Sequence, residues 1–336
     1  FVPAARAAAP GQGRGGAMIG MIITATISVA LIMVLLVLAG TFTWVERRLL
    51  GFVQERYGPN RVGPFGALQW VADTVKILTK DSCTKPSSRR STLVKVPAVA
   101  ATPVLAGFGV VAIGDGWALS SVDVGLLFLL GMLGLTAYAA VLGAWASNNR
   151  FSLLGGMRAA AQMLAYEVFL GLSLMGVVMI AGSFSMAEIV EAQRSVWFVL
   201  LQPLGMALFT IAGVAAAHRL PFDLPESEND LIAGFITEYT GMSFGLFFLG
   251  EYLAVLLVSA LAVTLFFGGW LGPWLPGPVW FGLKTAAIAV AFVWIRATLP
   301  RPRYDQPLSF AWKVALPLSL LNLMLTGIVV VARSAS

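Results

Sequence analysis

The chain has 336 residues, of which 58% are hydrophobic and only 11% charged, and its mean hydropathy is +0.85. A soluble domain carries ~25% charged residues, so too little polar side chain is present to clothe a soluble core of this length. With Cys83 and His218 as the only cysteine and histidine, the chain has no intrachain disulfide, and it lacks the roughly four ligands that an iron–sulfur cluster or a structural zinc requires.

In chain order, residues 1–17 read as a disordered Ala/Gly/Pro-rich leader. Its "GQGRGG" fits G-x-G-x-x-G, but no strand precedes it and no βαβ unit surrounds it, so it is not read as a nucleotide site. The apolar run that follows is too long for a signal peptide. A membrane span needs about 20 apolar residues at ~1.5 Å each. That rule predicts eight: 18–45, 95–114, 123–146, 159–182, 197–217, 241–268, 279–298 and 311–332. The expected fold is all-α, a polytopic membrane protein forming a single eight-helix domain over 18–336, with a long loop after the first helix. "GGWLGPWLPGPVW" (268–280) reads as an interfacial corner with Trp270, Trp274 and Trp280 in the headgroup belt.

Lys and Arg gather in the odd-numbered loops, ten of them between Arg47 and Lys95, while the even loops hold only Arg194. The positive-inside rule makes the odd loops cytoplasmic and puts both termini outside. Membrane topology thus accounts for most of the net charge of +6, which calls for no nucleic-acid partner. The run 67–80 places Leu68, Val71, Val75 and Leu78 near one face, the pattern of a helix lying in the interface.

The acids are distributed unevenly. Five of the 16 acidic residues fall in "RLPFDLPESENDLIAGFITEYTG" (219–241): Asp223, Glu226, Glu228, Asp230 and Glu238. Glu167 and Glu251 interrupt apolar spans, at a cost of ~3 kcal/mol each on insertion scales. If 229–251 is largely helical, Asp230 and Glu238 return to nearly one face, and Glu251 follows ~20 Å further along. Pro221 and Pro225 make the entrance irregular, which is tolerable only against protein or a watery cavity. A row of clustered, buried acids is the usual material of a proton relay. Two basic segments, 46–81 and "RATLPRPRYDQP" (296–307), complete a chamber able to grip a polar headgroup.

Four strings carry a resemblance: "ERRLLGFVQERYGPNRVGPFGALQWVADTVKILTKD", "WASNNRFSLLGGMRAAAQMLAYEVFLGLSLMG", "HRLPFDLPESENDLIAGFITEYTGMSFGLFFLGEY" and "IRATLPRPRYDQPLSFAWKVALPL". They resemble the H-type (subunit 1 type) membrane subunit family of respiratory complex I, the proton-pumping NADH:quinone oxidoreductase, over nearly the whole chain from about residue 20. The resemblance implies a non-redox subunit of the bacterial inner membrane that forms the mouth of a quinone tunnel. NADH, FMN and iron–sulfur clusters would belong to partner subunits, and this chain would bind no cofactor and no metal, with quinone as substrate. By position, Glu46, Arg47, Gln54, Arg56, Phe235, Arg296 and Arg303 resemble quinone-tunnel residues, and Glu167, Asp223, Glu226, Glu228, Glu238 and Glu251 resemble the acidic path for protons. The chain departs from the family at "AAAHR" (215–219), where many members read Ala-Glu-Thr-Asn-Arg. An acid is therefore missing at Ala216, and coupling has to run without it. The membrane subunit of an energy-converting hydrogenase or formate hydrogenlyase is the nearest alternative, and an independent secondary transporter a more distant one. The intact "GPNRVGPFG" and "PRYDQ" favour the quinone-reducing branch. No second copy of the acidic stretch supports the paired broken helices of a transporter.

Overall fold

The computed structural model describes residues 14–81, 88–120 and 122–335; Cys83 and residues 1–13 of the leader lie outside them. Among the described residues there are helices and no strands. They comprise α1 (Arg14–Val53), α2 (Gln69–Thr79), α3 (Arg90–Phe108), α4 (Gly125–Ser147), α5 (Arg150–Ala181), α6 (Met186–Ala192), α7 (Phe198–Leu201), α8 (Pro203–Ala216), α9 (Glu228–Leu231), α10 (Gly241–Phe266), α11 (Gly277–Thr298), α12 (Asp305–Phe310) and α13 (Leu316–Ala335). A π-helical turn over Ala311–Ala315 joins the last two. Helix α1 begins inside the stretch read as leader, at Arg14.

Among the described residues seven helices are long and apolar enough to cross a membrane, and the chain is an all-α polytopic membrane protein. The eighth predicted span, 197–217, is divided. Pro203 has no N–H to continue a helix from α7, and Gln202 leaves the helical region at φ −131°, ψ 53°. What remains, α8, has 14 residues and a length of only ~21 Å.

Local chemistry sets the corners. Asn148 adopts the left-handed conformation (φ 49°) and ends α4. The Asn149 side chain then accepts a hydrogen bond from the Phe151 N–H at 3.1 Å and opens α5, as an N-cap does. Adjacent asparagines thus reverse the chain between two spans. At the opposite end of the bundle the Lys284 ammonium donates to the carbonyls of Phe267 (2.7 Å), Gly269 (3.2 Å) and Leu271 (2.7 Å). It satisfies acceptors of the turn that follows α10.

Helix α10 is the most enclosed of the seven spans, with 72% of its apolar window buried. It packs on α1, α3, α8 and α11, and its side chains dominate the larger of two apolar clusters. The smaller cluster joins Leu93 and Val96 of α3 to Ala139, Ala140, Phe235 and Phe247. Helix α2 lies against α1 and α10: Trp70 sits on Gly40, and Ile77 sits on Gly245. Its other side exposes Leu68, Val71, Val75 and Leu78, the apolar face expected of an interfacial helix.

The continuous helix expected over 229–251 does not form. Helix α9 stops after one turn, Ile232 and Ala233 take left-handed φ values of 52° and 72°, and a 3-10 turn over Gly234–Ile236 leads to α10. The cause is tertiary. Pro225 lies over Gly234, where a Cβ would collide with the Pro225 carbonyl, and Gly155 of α5 admits the same segment from behind. Gly234, at φ 54°, meets both demands.

Candidate functional site

The irregular connection 217–240, the ends of α1 and α11, and the first three turns of α10 enclose a cavity of about 550 Å³. Four carboxylates line it, Glu46, Asp223, Glu226 and Glu251, together with four guanidiniums, Arg47, Arg219, Arg296 and Arg301. His218, Tyr252, Phe244 and Phe248 supply the rest of the polar and aromatic wall.

The charges fall into groups. Glu46, 3% exposed, pairs with Arg219 at 3.3 Å and with Arg296. One buried carboxylate thus answers two cations from elements far apart in the chain. The Arg219 guanidinium also lies over the Tyr252 ring, 4.1 Å from its centroid, while its Nε and Nη2 have no hydrogen-bond partner among the described residues. Arg301 donates to Asp223 Oδ2 (2.9 Å) and to Ser227 Oγ (3.0 Å), tying the 299–304 segment to the acidic connection. Arg47 pairs with Asp73 of α2 at 2.6 Å, and Gln69 holds the other oxygen of that carboxylate at 3.1 Å.

The Glu226 and Glu251 carboxyls come within hydrogen-bonding reach of each other. Two carboxyl oxygens bond to each other only through a proton, so this placement favours one proton held between them. Burial first, then the negative charges of Glu251 and Asp223, push the Glu226 carboxyl well above the usual carboxylate range. Burial also raises Asp223, and Arg301 opposes that shift. Burial lowers His218 to about 4, so its imidazole is neutral near pH 7.

Of the residues anticipated for quinone, the fold brings Glu46, Arg47 and Arg296 into the cavity. Phe235 is buried behind it, edge-on to His218 and Phe247. Gln54 and Arg56 bond each other at 2.8 Å on the exposed turn after α1 and do not line the cavity. Arg303 is exposed beside Asp305 and does not line it either. Of the anticipated proton-path acids, Asp223, Glu226 and Glu251 are gathered there. Glu238 is elsewhere, accepting from Asn149 at 2.7 Å. Glu167 of α5 lies against Gly134 of α4, where the missing side chain leaves room for the carboxyl, and its Oε1 has no partner among the described residues. Glu228 opens α9, and its side chain lies outside the described residues. Sequence reasoning missed Arg219, Arg301, His218 and Tyr252 as site residues. The available signal was that Arg219 opens the acid-rich stretch and His218 immediately precedes it, where a buried acid calls for a cation.

A polytopic helical membrane protein with a charged, small-molecule-sized cavity between its helices is the class that fold and site define. The NADH dehydrogenase family profile matches residues 25–327. The H 2 subunit of NADH-quinone oxidoreductase from Rhodopseudomonas palustris strain CGA009 is 93% identical over 319 residues, which is 95% of this chain and all of that one. The H 1 subunit from strain HaA2 is 84% identical over 318 residues, again 95% of this chain and all of the relative. The H 2 subunit from Cereibacter sphaeroides is 66% identical over 316 residues, 94% of this chain and 99% of the relative. The chain belongs to this NADH dehydrogenase family, the one in which the H subunit of NADH-quinone oxidoreductase is found.

Proposed function

We propose that the chain is a membrane subunit of a proton-translocating NADH:quinone oxidoreductase, in which the cavity receives the quinone headgroup and its carboxyls couple quinone reduction to proton movement. One observation carries this reading: four guanidiniums and a carboxyl pair within hydrogen-bonding reach line the same cavity. A volume of about 550 Å³ is within the ~300–1,000 Å³ range of small-molecule sites. NADH, FMN and iron–sulfur clusters belong, on this reading, to partner subunits of the hydrophilic arm. The basic loops face the cytoplasm toward that arm, and both termini lie on the outer side of the bacterial membrane.

Reduction of a quinone to a quinol takes two electrons and two protons, and negative charge develops on its oxygens ahead of protonation. Arg219, with two unengaged donors, and Arg47 and Arg296 at the cavity wall stabilise that charge electrostatically. Asp223, held by Arg301, keeps the acidic connection in place. The Glu226–Glu251 pair yields or takes up a proton as the nearby charge changes, because its proton affinity follows the local potential. Glu167, half-buried between α4 and α5, is a further station on the path. Glu238 and Glu228 mark its cytoplasmic side, and Phe235 backs the cavity. Gln54, Arg56 and Arg303 serve the outer mouth of the tunnel.

The test is Arg47→Ala in the assembled complex. The KM for quinone is expected to rise while electron transfer from NADH to a soluble artificial acceptor is retained, since the electron carriers belong to other subunits. Equal loss of both activities in a fully assembled complex overturns the reading.

A further inference from the structure

His218 is the only histidine of the chain and borders two cavities at once. One is the charged cavity described above. The other is a separate space of about 40 Å³ bounded by Thr136 of α4, Ala216, His218, Glu226 and Glu251. A space of ~10–15 Å³ on this measure admits one water, so the smaller cavity has room for about three. Buried water needs polar partners, and this wall offers them. The His218 Nε2 and Glu226 Oε1 are buried without a hydrogen-bond partner among the described residues. The Thr136 hydroxyl donates to the Leu133 carbonyl at 2.7 Å and keeps its own oxygen free to accept.

His218 is fixed where it stands. It occupies a left-handed position (φ 49°) directly after α8, and its ring meets Phe235 edge-on at 6.5 Å. Arg219, its neighbour in the chain, is anchored by Glu46. An imidazole so held can take a proton on one ring nitrogen and give up another from the second, passing a proton without rotating. We propose that His218 is a proton-relay residue that exchanges protons with the Glu226–Glu251 pair across a hydrated pocket reaching α4 at Thr136, and passes them to the charged cavity that it also borders. The step is a bare proton transfer: a carboxyl of the pair gives a proton to a water of the small pocket, that water gives one to an imidazole nitrogen, and the other ring nitrogen releases its proton to water of the charged cavity. Electrons do not take part. This assignment rests on the coupling role given above to the carboxyl pair.

The experiment uses the assembled complex with His218→Ala, His218→Gln and Thr136→Val, beside Glu251→Gln. A native gel verifies assembly, and electron transfer from NADH to an artificial acceptor verifies that the electron carriers are intact. His218→Ala is expected to slow quinone-linked NADH oxidation and proton pumping together, on the order of tenfold. That is less than the ~10²–10⁴ of a group acting on the reacting atoms, because water in the larger cavity offers a slower detour. Added imidazole should restore part of the His218→Ala rate and none of the His218→Gln rate, a distinction that loss of packing alone would not produce. Thr136→Val should slow turnover with the histidine intact, and it decides the matter if neither histidine variant assembles. Full coupled rates in His218→Gln and Thr136→Val overturn the relay. If Glu251→Gln is impaired in that case, only the histidine assignment falls; if Glu251→Gln also runs at full coupled rate, the coupling reading falls with it.

Discussion

Glu226, from the irregular connection after α8, and Glu251, from the third turn of α10, come within hydrogen-bonding reach of each other inside the charged cavity. A proton held between them leaves the pair at most one negative charge, so a glutamine at Glu226 keeps the contact and the shape. Glu226→Gln is therefore expected to leave the thermal stability of the complex within ~1 kcal/mol of wild type and to uncouple proton pumping from quinone reduction. Calorimetry and a pumping assay on the same preparation check both halves. Fully coupled turnover would show that the pair is only structural.

Glu46 should behave in the opposite way. Its carboxylate is the partner of both Arg219 and Arg296, and a glutamine there leaves two cations facing each other in a buried site. Removing one member of a buried pair costs ~3–5 kcal/mol. Glu46→Gln is expected to lower the yield of assembled complex and its melting temperature well beyond any Glu226 variant, as read by native gel and thermal scan.

The two arginines of the 299–304 segment differ in what they hold. Arg301 bonds Asp223 and Ser227, whereas the Arg303 side chain is 83% exposed. Arg301→Ala should raise the quinone KM and speed hydrogen exchange across 217–240, while Arg303→Ala should leave that exchange rate at the wild-type level. Mass spectrometry of exchanging peptides separates the outcomes, and an equal response to both would contradict this packing.

The pH response of His218 has a definite sign. Its folded value, about 4, is below the free imidazole, whose pKa is ~6.5. The unfolded chain therefore binds the extra proton first, and native stability falls as pH drops from ~6.5 toward 4. His218→Asn should flatten that part of the melting-temperature profile and leave the profile above pH 7 unchanged in slope. An unaltered slope between pH 6.5 and 4.5 would place the titration elsewhere.

Among the acids outside the cavity, Glu167→Gln is expected to reduce quinone-linked pumping more than Glu188→Gln, since Glu188 is exposed on α6. Glu238→Gln keeps an oxygen for Asn149 and should have an intermediate effect. Pumping rates normalised to assembled complex rank the three.

Seven of the eight expected spans were legible in the sequence because hydropathy over some twenty residues is a local property, whereas the break at Gln202 inside 197–217 was not. Helix α2 was legible from the spacing of four apolar residues, which the fold leaves uncovered as expected. The break over 232–236 was not legible, because it depends on Pro225 and Gly155 closing on Gly234 from two sides, a contact that no local pattern contains. The site was half legible for the same reason. Acids stood out as anomalies in an apolar chain, but their counter-charges come from far away. Arg296 is 250 positions from Glu46, and Arg301 is 78 from Asp223.

Glu251 stands ten residues into the 26-residue α10, about 15 Å along a helix of ~39 Å. On the proposed coupling role, a proton that reached it from the α10 N-terminal side would have crossed part of the low-dielectric layer, and with it part of the electrical potential across the membrane. Moving a full charge through 100 mV is worth ~2.3 kcal/mol, so a depth of ~0.4 of the span is worth up to ~0.9 kcal/mol per 100 mV. Occupancy of the carboxyl pair accordingly rises and falls with membrane voltage. If the pair loads the proton as proposed, an energised membrane would act back directly on it, without waiting for the quinone pool to change.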